Sequence, residues 1–200
     1  RIRVMFGPLS YLLTTDAYDR LLPSVLRESV PDDVPDRDEA MVEIERIVEI
    51  LEARKTAYRS RRPHLVGLIS AAELEAFCTT GFVGAAGLAG DKHRRQAARE
   101  ELFHIIEILD AEPMDVQLGV LVDSMPGISF QIFRHARQAE LAISPFRLGA
   151  LANVRLGVAT ITAAPEAVAR HEEITNQLWA RSLKGREAAN WLRQMAARIC

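Results

Sequence analysis

Val116-Gln117-Leu118-Gly119-Val120-Leu121-Val122, then Asp123-Ser124-Met125-Pro126-Gly127, then Ile128-Ser129-Phe130-Gln131-Ile132-Phe133-Arg134. In this stretch the apolar period changes from 3.6 to 2. Alternation over 116–122 reads as a strand, 123–127 as a turn, and Ile128, Phe130 and Ile132 as one face of a second strand. Ala136-Arg137-Gln138 links to a third strand at Glu140-Leu141-Ala142-Ile143, and Arg155 to Ile161 reads as a fourth. Close spacing and short links predict an antiparallel meander of about four to five strands.

Upstream of the meander the pattern is mostly helical. Thr14 or Thr15 can cap a helix through Asp16, Tyr18, Leu21 and Leu22, which Pro23 is expected to break or kink. Val30 to Asp38, with two prolines and four aspartates, reads as a loop. Asp36 is the expected N-cap of a strong helix whose stripe is Met41, Ile44, Val48 and Leu51. That stripe faces a core or a dimer seam. Leu65-Val66-Gly67-Leu68-Ile69 reads as a buried strand, and Ser70-Ala71-Ala72-Glu73 as a capping box opening a short helix. Gly81, Gly84, Gly87 and Gly90 fit neither phosphate-loop spacing, so they read as a loop. Asp91 is placed to cap a helix carrying Leu102, Ile105, Ile106 and Leu109, closed by Pro113.

Downstream, Pro165 sits in the first turn of a helix with Val168, Ile174, Leu178 and Trp179. Gly185 interrupts, and Ala188, Trp191, Leu192, Met195 and Ile199 form a last stripe. Helices, one strand, helices, a strand cluster and helices again make an α+β fold, read as one domain over 1–200.

The 200 residues carry 25 basic and 27 acidic side chains, a formal net charge of −2. A module that grips nucleic acid by itself carries a basic excess, since phosphate contacts supply most of the affinity. Cys78 and Cys200 have no finger spacing and read as free thiols of a cytoplasmic protein. No apolar run reaches the roughly 18 residues of a membrane span. Glu101 and His104 have the ExxH spacing of a diiron helix, but the chain has no second ExxH to complete one. GxSxG, Walker and Rossmann signatures are absent. No metal and no cofactor is expected, and an enzyme is the minority reading. The chain opens on Arg1, directly before Ile2, Val4, Met5 and Phe6, which suggests missing upstream material.

Four stretches carry a resemblance. They are Leu12-Leu13-Thr14-Thr15-Asp16-Ala17-Tyr18; Ala53-Arg54-Lys55 with Pro63 to Leu74; Arg99 to Phe130; and Thr160 to Ile199. Together they resemble the C-terminal domain of actinobacterial Xre-type helix-turn-helix regulators, antitoxin-like regulators of the Scr type. Two positions depart from the family's pattern. Ser10-Tyr11 stand where it has Pro-Gly, and Leu121-Val122-Asp123 where it has a Leu-Pro-Phe run.

The resemblance implies a regulatory domain that leaves DNA contact to an N-terminal helix-turn-helix upstream. Such a domain would form a homodimer, or sense a small molecule or a small partner protein, with no membrane role. A pocket between the meander and its helices is expected to be lined by Tyr18, Phe130, Arg134 and Trp179, with Arg134 orienting an anion. The alternative is an interaction domain without ligand.

Overall fold

The computed structural model describes residues 2–5, 9–28, 30, 32–33, 35–81, 92–123, 129–135, 138–144 and 160–199. Three described strands come first along the chain, β1 (Ile2–Met5), β2 (Leu65–Ser70) and β3 (Val116–Leu121). Between them lie α1 (Asp16–Glu28), α2 (Arg37–Arg61), α3 (Ala71–Thr80) and α4 (Lys92–Ala111). Then come β4 (Ser129–Arg134), β5 (Ala139–Ser144), β6 (Thr160–Thr162), α5 (Pro165–Arg181), β7 (Leu183–Lys184) and α6 (Gly185–Ile199).

The chain is α+β, but the expected four- to five-stranded meander is not what forms. The strand order is β6-β5-β4-β1-β2-β3-β7. β3, expected to open the meander, lies parallel to β2, which lies parallel to β1. Only β4, β5 and β6 follow one another antiparallel, joined to the parallel trio where β4 runs antiparallel to β1. The cause lies in the connections. Helices fill the spans from β1 to β2 and from β2 to β3, the length a parallel return requires. β2 is buried at all six positions, and β3 at its last four. Burial on both faces is the mark of an interior strand with helices above and below. Of the expected fourth strand, 155–159 lie outside the described residues, and β6 begins at Thr160.

Alternation in β2 and β3 sorts their side chains to two layers. Leu65, Ile69, Leu118 and Val120 face a core built with Leu22, Ile44, Leu74, Leu102 and Leu192 from α1, α2, α3, α4 and α6. Leu68 and Leu121 join Phe130, Ile132 and Leu141 on the other side, where α5 contributes Val168. In α2 the stripe predicted from sequence buries Ile44 and Leu51, with Met41 and Val48 half-buried, so it faces the core.

Local signals were mostly met. Thr15 Oγ1 accepts from the Tyr18 amide at 3.2 Å and caps α1. Ser70 Oγ accepts from the Glu73 amide at 3.4 Å. Two expectations need correction. Asp36 precedes α2 but makes no side-chain cap bond. Pro23 does not break α1, which runs on to Glu28 with Leu22, Val25 and Leu26 buried on either side of it. Asp91, Gly84, Gly87 and Gly90 lie outside the described residues.

Candidate ligand-binding cleft

The four residues expected to line one pocket do not converge. Tyr18 is 3% exposed in the helical layer, its ring 6.3 Å from Tyr11 and 6.5 Å from Phe77. Phe130 is buried on the opposite face of the sheet, edge-on to His171 at 4.8 Å. The sheet itself separates Tyr18 from Phe130. Arg134 closes β4 and forks onto Glu172 of α5, Nε to Oε1 at 2.8 Å and Nη2 to Oε2 at 2.6 Å. Trp179, half-buried near the end of α5, packs against the same apolar cluster as Phe130.

Sequence reasoning missed a buried ionic cluster. Lys55 follows Leu51 by four residues, so it continues the apolar stripe of α2 inward. Its Nζ donates to Thr14 Oγ1 at 2.9 Å, to Thr15 O at 3.4 Å and to both Asp19 oxygens at 2.8 and 2.6 Å. Burial pulls the Lys55 pKa down, and the Asp19 carboxylate pulls it back up. Glu101 of α4, 1% exposed, accepts from the Thr15 amide at 3.1 Å and from the Thr15 hydroxyl. Burial raises its pKa, opposed by those two bonds. His104, its partner in the ExxH spacing, is half-exposed and lies 3.8 Å from Glu107 instead. An ammonium has three donors, and here all meet protein oxygens. The adjoining cavity is about 10 Å³, at the lower limit for one water. The cluster clasps α1, α2 and α4 together and leaves nothing for a ligand.

The open site is elsewhere. A cleft of about 380 Å³ runs from the end of α4 to the turn between α5 and α6. Ile108, Leu109, Pro113, Leu118 and Trp179 give it apolar walls, and Met114 in the lining is 91% exposed. The two-residue β7 makes this space. It pairs only with Gly119 and Val120, so β3 runs as a bare sheet edge over Val116–Leu118. A Cβ on Gly119 would overlap Ser182 Oγ, so the missing side chain lets the end of α5 approach the sheet.

Glu112, Gln117 and Lys184 bring polarity to this apolar space. Lys184 Nζ lies 5.2 Å from the Trp179 ring centre and donates to Ser182 O at 2.7 Å. Glu112, with φ +43°, turns its carboxylate against Gly185, the first residue of α6, where a Cβ would overlap it. Of these residues only Trp179 was singled out from sequence. Lys184 sits on a strand too short to leave a periodic signal, and Glu112 looks like any polar residue after a helix.

Comparison with protein families, curated proteins and solved structures finds no match to this chain. Among the described residues no group of three or more His, Cys, Asp or Glu side chains is placed to hold a metal ion. No described helix is long and apolar enough to cross a membrane.

Proposed function

We propose that this chain is the regulatory domain of a cytoplasmic Xre-type DNA-binding regulator, and that the Trp179 cleft is its effector site. The observation that carries the reading is the contrast between the two polar sites. The Lys55 cluster is closed and satisfied, whereas the cleft is open, mostly apolar and supplied with a few polar groups, the usual make-up of a small-molecule site. The nearly balanced charge agrees with DNA contact made by another part of the protein.

The cleft's walls come from the ends of α4, α5 and α6, so a ligand filling it favours one setting of those ends over others. Regulation then works by population shift. A swing from 1:99 to 99:1 asks for about 5.5 kcal/mol of differential binding.

Dimerisation fits the outer face of α2. Val42 and Ile50 are 53% and 58% exposed there. Residues 38–52 carry Asp38, Glu39, Glu43, Glu45, Glu49 and Glu52 against Arg46, while 54–62 carry exposed Arg54, Arg59, Arg61 and Arg62. Two antiparallel copies of α2 set acidic halves against basic halves, with Ile50 near the two-fold axis.

Native mass spectrometry of the purified domain tests the reading. A dimer carrying non-protein mass that is lost in Trp179→Ala supports it. A clean monomer, unchanged by added small molecules, removes both its parts.

A further inference from the structure

We propose that the cleft takes a small, flat organic acid, its ring system against Trp179 and Leu109 and its carboxylate on Lys184. This rests on the reading of the cleft as a ligand site and adds the chemistry of what enters it.

Three observations set the charge of the ligand. Lys184 already holds its ammonium near the face of Trp179. A cationic ligand would find the ring's negative face taken and a like charge beside it. An anion finds an opposite charge in Lys184, and it must displace Glu112, the one carboxylate among the described lining residues. Among the described residues Lys184 makes one hydrogen bond, to Ser182 O, so two of the three ammonium donors remain for an acceptor.

The chain also places a carboxylate of its own at this spot. Glu112 lies against Gly185 at the N-terminus of α6, where the helix dipole favours negative charge. It does so from an exposed residue held at φ +43°, a conformation that costs a non-glycine residue free energy. No hydrogen bond or ion pair of its side chain fixes it there among the described residues. Glu112 is therefore a displaceable carboxylate beside Lys184's end of the cleft, and its presence shows that negative charge is accommodated there. The apolar walls bury a ring but give a neutral ligand little to orient it.

The test uses three isosteric probes, 1-naphthoate, 1-naphthamide and 1-naphthylmethylammonium, titrated into the domain by calorimetry and followed by NMR of the Met114 methyl and the Trp179 indole. The acid is expected to bind roughly tenfold or more tighter than the amide, and the ammonium weakest. Lys184→Met should bring the acid down to the amide's affinity and leave the amide unchanged. Glu112→Gln should raise the acid's affinity several-fold and leave the amide unchanged. Equal binding of acid and amide, or tightest binding of the ammonium, overturns the assignment of ligand class while leaving the cleft as a site. No shift at Met114 or Trp179 with any probe overturns the cleft itself.

Discussion

Lys55 Nζ and Asp19 Oδ2 are 2.6 Å apart, with the lysine side chain 3% and the aspartate 20% exposed. Removing one partner strands the other in the core. Asp19→Ala is expected to cost about 3–5 kcal/mol, the range for orphaning a buried charge. Adding Lys55→Met to Asp19→Ala should recover much of that loss, since a buried pair replaced by apolar groups is often near neutral. Urea unfolding of the two variants checks this, and an equally unstable double variant would show that the clasp does more than neutralise Lys55.

Glu101 gives the fold a pH dependence of known sign. Its pKa is raised in the folded protein by burial, so the fold binds this proton more tightly than the unfolded chain does. Its contribution is therefore fully present below the ordinary glutamate range and is lost as pH rises through the raised value. Glu101→Gln should flatten the stability profile across that window. Thermal melts of both proteins over the mildly acidic range test it, and parallel profiles would refute it.

At Arg62 the C-cap of α2 sits at φ +40°. Helix ends favour glycine in this left-handed region. Arg62→Gly should therefore stabilise the protein by about 0.5–1 kcal/mol, read as a rise in the denaturant midpoint with an unchanged slope.

Gly119→Ala should do the opposite. The added methyl meets Ser182 Oγ and lies 3.1 Å from Leu68 Cδ2, so the end of α5 must move off the sheet. Overpacking of this kind costs about 1–3 kcal/mol. Combining it with Ser182→Ala should return part of the loss, and a double-mutant cycle measures how much. Strict additivity would mean the clash is relieved elsewhere.

Arg134→Ala should leave cleft binding untouched. Arg134 is about half-exposed and bound to Glu172, so its loss is expected to cost about 1 kcal/mol or less of stability. The same probe titration that examines Lys184 settles this.

The sequence made most elements legible and little of their partnership. The α2 stripe, the Ser70 cap and the Pro165 start each depend on near neighbours, and each is found where the spacing put it. The parallel placement of β3 depends on β2, far back in the chain, and its clue was compositional. Runs such as Leu65-Val66-Gly67-Leu68-Ile69 and Gly119-Val120-Leu121 lack the polar alternation of a half-exposed strand. At β1 the sequence offers only four residues, Ile2-Arg3-Val4-Met5, too short a run to show a period. At the cleft, Trp179 announced itself by size, while Lys184 and Glu112 matter only because Gly119 and Gly185 have no Cβ.

β1 is the strand on which both halves of the sheet depend. It pairs Ile2 with Leu65 on one side and Ile2 with Phe133 on the other. During synthesis it has no second neighbour until β4 has emerged. Contacts so distant in sequence slow folding and prolong the life of an open strand. α1, α2 and α4 can assemble around the Lys55 clasp before β4 exists, whereas the layer under α5 must wait for the ribosome. For this protein, the order in which residues arrive decides when the two layers become one molecule.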